Sequence, residues 1–252
     1  MAKLTLLEIV QDCLNDLDSD SVNSINDTIE SQQVAQIVKT CYFEMIANRN
    51  WPHLKKLVQL DASGDTSKPN FLKLPVGIKE LVFIKYDTFT LSQPKSRLVE
   101  LIYKEPDAFL RMISSRDSGL PYVDEVIDFS GTKLLTLNNA APRYWTSFDD
   151  EYIITDSYDS SVDTTLQKNK TQAFAYIEPT WSQFDDFIPD LPSEAFPALI
   201  EESKSTSSLV LKQIANQKAE QKAGRQQRWL ARKAWAAKGG VVYQDYGRKG
   251  RK

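Results

Sequence analysis

Four cations and two indoles fall within eleven residues near the C-terminus: Arg225, Arg228, Arg232 and Lys233, with Trp229, Leu230 and Trp235 between them. Guanidinium and ammonium groups bind anions, and a large ring beside arginine is a common interface anchor because its burial removes much apolar area from water. Tyr243 and Tyr246 follow, before a terminal Gly247-Arg-Lys-Gly-Arg-Lys252. These residues suit an arm that docks into a partner protein. They also suit contact with nucleic-acid phosphates, which would be steeply salt-dependent, and the plain alternative is a solvated tail folded back on its own body. Charge supports a separate role for the arm. Lys218–Lys252 holds eleven basic and two acidic residues, a net of +9, whereas residues 1–217 hold 20 and 32, a net of −12, within an overall −3. An acidic body with a basic extension points to a polyanion or an acidic partner surface.

Other chemistries have less to stand on. His53 is the one histidine, and Cys13 and Cys41 are the two cysteines, too few for a four-ligand structural zinc site. Both thiols are expected to be reduced and buried in a cytosolic chain. The nine glycines form no GxGxxG and no GxxxxGK[ST], so neither nucleotide loop is present. The acidic residues Asp149, Asp150, Glu151, Asp156, Asp159 and Asp163 could hold a hard cation, but Asp156 onward has no glycine sixth and no glutamate twelfth, so a solvated, turn-forming run is the preferred reading. Asp185 and Asp186 are a carboxylate pair with nothing beside them to suggest acid–base work. Trp51, at a helix exit, is expected to seal a helical core, and His53 to be a surface or capping residue. No apolar run approaches the ~20 residues of a bilayer span, and the N-terminus does not read as a signal peptide. No cofactor, metal or catalytic residue is expected.

The positioning elements are legible. Thr5 and Glu8 stand at capping-box spacing before Leu6, Ile9, Val10, Cys13, Leu14 and Leu17. A second helix is expected from about Thr28 to Asn48, with Val34, Ile37, Val38, Cys41, Tyr42, Met45 and Ile46 on one side, stopping before Pro52. Eight short β-branched and aromatic runs then alternate with turn residues: Lys56–Asp61, Phe71–Leu74, Glu80–Tyr86, Arg97–Tyr103, Val123–Phe129, Lys133–Leu137, Tyr152–Thr155 and Gln172–Ile177. Phe129–Thr132 reads as a hairpin turn, and Pro106–Ile113 as a helix with Phe109, Leu110 and Met112 available to cover a sheet. A third core helix begins near Pro197, its inner face being Phe196, Leu199, Ile200, Ser203, Ser207, Val210, Leu211 and Ile214. Continued to Lys238 it would run about 60 Å and project past its body. The fold class is α+β: a discontinuous three-helix bundle (1–53 and 192–217), an inserted antiparallel β-sandwich or barrel-like domain (54–191), and a projecting basic arm (218–252).

Three stretches carry a resemblance. Pro142-Arg-Tyr-Trp-Thr-Ser-Phe148-Asp-Asp-Glu151 with Asp156-Ser-Tyr-Asp-Ser-Ser-Val-Asp163, Arg49-Asn-Trp-Pro-His-Leu54, and Lys218-Ala-Glu-Gln-Lys222 leading to Arg228-Trp-Leu230 are similar to segments of tailed-phage head–tail adaptors, the tail tubular protein A type of podophage connector. The Trp-Thr-Ser-Phe-Asp-Asp-Glu run is the most specific of them. The resemblance implies a non-enzymatic virion protein of the neck, assembled in the host cytoplasm as a homo-oligomeric ring of twelve below the portal protein. It implies contact with the next tail component (nozzle or tail tube), a lumen through which genome DNA passes, and C-terminal segments laid along the portal. Arg225, Arg228, Trp229, Arg232, Lys233, Trp235, Tyr243 and Tyr246 then become candidate portal contacts. Gly239-Gly240 and the tyrosine-bearing end do not map onto the group's pattern. The rival is a cytosolic nucleic-acid-binding protein that uses the +9 tail.

Overall fold

In the computed structural model, which describes residues 3–89 and 97–232, Thr5 and Glu8 open the first helix reciprocally. The Glu8 N–H donates to the Thr5 hydroxyl at 3.3 Å, and the Thr5 N–H donates to the Glu8 carboxylate at 2.8 Å. Helix α1 (Leu6–Asp16) buries Leu6, Ile9, Val10, Cys13 and Leu14. Helix α2 (Ile29–Ala47) starts with the same device between Thr28 and Ser31, at 3.0 and 3.1 Å, and buries Val34, Ala35, Val38, Cys41, Tyr42, Met45 and Ile46. The linker between them is tied down by buried Val22 and Ile25.

The chain divides into two compact units, Met1–Leu54 with Pro179–Lys252, and Lys55–Glu178. The second is inserted in the first. It runs β1 (Lys55–Val58), β2 (Asp61–Ala62), β3 (Phe71–Lys73), β4 (Ile78–Asp87), β5 (Leu98–Glu100), β6 (Ile102–Tyr103), α3 (Pro106–Ser114), β7 (Val123–Ile127), β8 (Lys133–Leu137), β9 (Tyr144–Thr146), β10 (Tyr152–Thr155) and β11 (Thr171–Ile177). One sheet has the order β1-β11-β4-β5 and a second the order β2-β3-β10-β9-β6, while β7 and β8 form a hairpin. All pairings are antiparallel except β6 with β9. Leu72 and Ile153 from the second sheet share a core with Ile84, Tyr86 and Ala173 from the first. The β7–β8 turn closes through Gly131 at φ +83°, where a side chain would be strained, and its N–H donates to the Asp128 carbonyl at 2.9 Å. Phe109 and Ile113 of α3 are buried with Phe71, Val126, Leu134 and Ile154, while Leu110 is exposed.

Several expectations for this unit change. Residues 56–61 are not one strand: β1 belongs to the first sheet and β2 to the second, because buried Leu60 turns inward between them and donates its N–H to the Thr171 hydroxyl at 3.0 Å. Residues 97–103 are two strands on different sheets, because buried Leu101 turns inward between them and donates its N–H to the Ile84 carbonyl at 2.8 Å. The three-residue β9, too short to show an alternation, was not expected. Residues 179–191, which read as part of the β insertion, belong with the helices. Trp181, Phe187 and Leu191 join the helical core, and the Leu6 N–H donates to the Phe187 carbonyl at 2.7 Å.

Helix α4 (Phe196–Lys212) carries a proline in its first turn and buries Phe196, Ala198, Leu199, Ser203 and Ser207. Its inner face ends sooner than its spacing predicts: Val210 and Ile214 are 59% and 66% exposed. The helix stops because Gln213 takes a left-handed conformation at φ +55°. Helix α5 (Gln217–Arg232) then reverses direction and packs along α4. The continuous projecting helix is thus replaced, through Arg232, by a helical hairpin. None of the described helices is long and apolar enough to cross a membrane.

Candidate partner-docking surface

The two sides of α5 differ in chemistry. Ala219, Ala223 and Leu230, spaced at i, i+4 and i+11, are buried at 3%, 1% and 4% exposure. The alanines let the α4 and α5 backbones approach, and Leu230 enters the core of α1, α2 and α4. Asn216 caps the start: its side-chain oxygen accepts from the Ala219 N–H at 3.1 Å while its amide donates to Asp16 at 2.8 Å. At the other end Arg49, just past α2, donates to the Leu230 carbonyl at 3.0 Å, and its guanidinium lies 4.4 Å over the Trp51 ring. Trp51 is itself buried and donates to the Met45 carbonyl at 2.9 Å, so it seals this core as its position suggests. Burial pulls the Arg49 pKa down.

Part of the basic character is neutralised at home. Lys222 pairs with Glu201 at 2.8 Å, and Gln227 donates to Glu202 at 3.3 Å. Glu202 has a raised pKa because of burial first, then the nearby Glu44 and Glu220 carboxylates. Contrary to expectation, residues 217–232 have a place on their own subunit, because an alanine-rich stripe and Leu230 provide an apolar side that the charge count hides.

The outward side keeps the candidate residues together. Arg225, Arg228 and Trp229 are exposed, Trp229 to 43%. Arg225, Gln226 and Trp229 line a surface cleft with Glu194 and Pro197, and Arg225 and Arg228 line another with Glu202, Gln217 and Glu220. Arg232 closes α5. Lys233, Trp235, Tyr243 and Tyr246 lie outside the described residues. An indole flanked by two guanidiniums can desolvate against an apolar partner while its rim pairs with carboxylates; this is docking chemistry. Arg49 was not foreseen as part of this site, and Leu230, named with the arm, turns inward to the core. The stripe of Leu230 with Ala219 and Ala223 was readable as amphipathic spacing, whereas the reach of Arg49 to it was not.

The remaining candidates resolve into local roles. Asp149 accepts from the Glu151 and Tyr152 N–H groups, Asp159 from Ser161, and Asp163 from Thr164 and Gln167, each within its own turn. Asp156 departs from the solvated reading. It is buried, accepts from the Arg143 and Tyr144 N–H groups at 3.0 and 2.9 Å, and pairs with Arg116 at 3.3 Å. Asp185 accepts from the Ile25 N–H at 2.8 Å. The His53 Nε2 meets the Asp190 carbonyl at 2.8 Å. Cys13 and Cys41 are free and buried, and burial pushes the Cys13 thiol up to about 12. Among the described residues, no cluster of three or more His, Cys, Asp or Glu side chains could hold a metal ion. No protein-family model and no curated protein matches this chain.

Proposed function

We propose that this chain is a structural, non-enzymatic virion protein: a ring-shaped adaptor that joins a phage portal to its tail and surrounds the passage for genome DNA. The observation that carries the reading is the outward Arg225, Arg228 and Trp229 side of a helix whose inward side is already committed to its own subunit. A helix placed this way presents a rigid docking surface, and a preformed surface loses less entropy on binding than a free tail does. Two features support the reading: helices α1, α2 and α4 contribute to one apolar core, and the β unit is inserted in the chain after α2. Twelve copies joined by heterologous contacts would close a ring. The portal contacts are then the outer side of α5 and the residues beyond it, with the next tail protein and the passing DNA as further partners. The acidic remainder of the chain suits a conduit that does not hold phosphates.

The test follows from the placement of α5. Removal of residues 218–252 would take Leu230 out of the core, so the useful variants are Arg225→Glu with Arg228→Glu, Trp229→Ala, and a truncation after Arg232. Electron microscopy of each, mixed with the purified portal, is expected to show rings for the wild type and few or none for the variants. If the same variants instead lose only a salt-sensitive DNA affinity, with portal binding untouched, the +9 segment is a nucleic-acid-binding tail and the adaptor reading fails.

A further inference from the structure

The β1-β11-β4-β5 sheet ends on two edges of different chemistry, and every pairing in it is antiparallel. Four alternating strands leave β1 and β5 running in opposite directions, and among the described residues no strand meets the outer side of either. The alternation of hydrogen bonds fixes which peptide groups this exposes. The Thr88 N–H donates to the Arg97 carbonyl at 3.1 Å and the Leu101 N–H to the Ile84 carbonyl at 2.8 Å, on either side of the Lys85–Glu100, Tyr86–Val99 and Asp87–Leu98 pairs. Val99 therefore turns its peptide groups to Tyr86, while Leu98 and Glu100 turn theirs outward. Carried across β4 and β11, the same alternation turns Lys56 and Val58 to Ala175 and Ala173, and Leu57 outward. The Leu60 N–H, donated to the Thr171 hydroxyl at 3.0 Å, has the phase this requires. The side chains of these outward positions share the outer face, because Leu57 opposes Phe174, Phe174 opposes Phe83, and Lys85 opposes Glu100. Leu57 and Leu98 are 66% and 43% exposed, and the Lys55 ammonium lies 4.7 Å over the Phe174 ring. Glu80, Lys85 and Asp87 also stand on this face, so its total charge selects no partner; the match lies in the order of residues along the two edges.

We infer that β5 of a second copy of this chain adds to the β1 edge as an antiparallel strand, with Leu57 opposite that copy's Leu98 and Lys55 opposite its Glu100. Because the two edges run in opposite directions, a copy added in the same orientation meets the first antiparallel, the slightly more stable pairing, and the sheet continues without a break in its alternation. This register brings the outward peptide groups of Leu57 and Leu98 face to face, joins two exposed leucines and sets opposite charges across the join. A slip that sets Leu57 opposite Glu100 loses both matches. Two-fold joins are poorer: β1 with β1 offers no carboxylate to Lys55, and β5 fully overlapped with β5 sets Leu98 against Glu100. Two unlike edges make a heterologous contact, which repeats from copy to copy and closes into a ring where the rotation allows. The inference rests on the adaptor reading and assigns that ring its subunit contact.

Cysteines on the inner face test it without touching those pairs. In this register Lys56 opposes the second copy's Val99 in the non-hydrogen-bonded position, where Cα atoms stand about 4.5 Å apart, within disulfide range. The full-length chain carries Lys56→Cys, Val99→Cys or both, and is oxidised with diamide in the presence and absence of purified portal. Cys13 and Cys41, 0% and 2% exposed, stay out of the reaction. A disulfide-linked dimer is expected from the mixture of the two single variants and from neither alone, and a ladder of multimers from the double variant. Lys56→Cys with Arg97→Cys, two residues out of register, should give none. Adding Leu57→Pro to the double variant removes an outward N–H and no bond to β11, so it should abolish the ladder and leave the circular dichroism signal unchanged. If that variant fails to fold, the out-of-register pair decides. Dimers from either single variant alone would mean a two-fold join and overturn the proposal, as would equal cross-linking of the out-of-register pair. Rings on the portal without cross-links overturn this contact and leave the adaptor reading standing, whereas register-specific multimers that form no ring with the portal uphold the contact and remove the adaptor reading. Absence of both overturns the two together.

Discussion

The helical unit and the β unit keep their chains folded by different means. The helical core is built almost wholly from aliphatic and aromatic side chains of α1, α2, α4 and α5, with its ion pairs left near the surface, as in Lys204–Asp12 at 3.0 Å. The β unit buries charge. Arg116 and Asp156, their side chains 14% and 7% exposed, pair at 3.3 Å, and the same guanidinium donates to the Leu135 and Asp156 carbonyls at 2.8 and 2.6 Å. Nearby, the buried Asn70 amide donates to Thr136 at 3.2 Å and to the Thr155 carbonyl at 2.8 Å. The reason lies in the backbone. A helix satisfies most of its own peptide groups, so its neighbours need supply only apolar surface. Strands mostly of two to five residues, separated by irregular turns, leave carbonyls and N–H groups inside, and side chains must satisfy them.

This contrast makes the Arg116 site the place of largest expected effect. Arg116→Met should destabilise the β unit by about 3–5 kcal/mol, because it strands a buried carboxylate and two carbonyls. Hydrogen exchange should rise in β8 and β10 while α1 and α2 keep their protection; equal loss in both units would refute the separate origins of their stability. Leu230→Ala comes next, at about 2–3 kcal/mol for a large buried side chain truncated at a helix contact. Its effect should appear as faster exchange over residues 217–232. Persistence of protection there would mean that Arg49 and the alanine stripe suffice to hold α5. The smallest change is Thr5→Ala, which removes a cap on a helix otherwise sustained by packing and should cost about 1 kcal/mol, read as a lowered urea midpoint.

Much of the local structure was legible beforehand. Thr5 with Glu8, the apolar spacing of α1 and α2, the stop before Pro52, the Phe129–Thr132 turn and Pro197 in the first turn of α4 all depend on residues within about one helical turn of each other. The missed features share a longer reach. Arg49 meets Leu230, Leu6 meets Phe187, and Ile25 meets Asp185 across more than a hundred residues. Asp156 looked like one more solvated carboxylate in an acidic run, since nothing adjacent reveals that Arg116 will be folded over it. In the candidate docking surface, the residue types of α5 were evident, but the side on which they would face was not.

Residue order alone established the charge division between body and C-terminus, the existence of the helices and most strands, and the grouping of arginines with tryptophan, because propensity, capping and periodicity act between near neighbours. Only the folded chain decided that α5 turns back at Gln213, that Leu101 passes the chain from one sheet to the other, and that Arg225, Arg228 and Trp229 face outward. Those outcomes are choices among distant partners, set by which surfaces fit when the whole apolar area is buried at once.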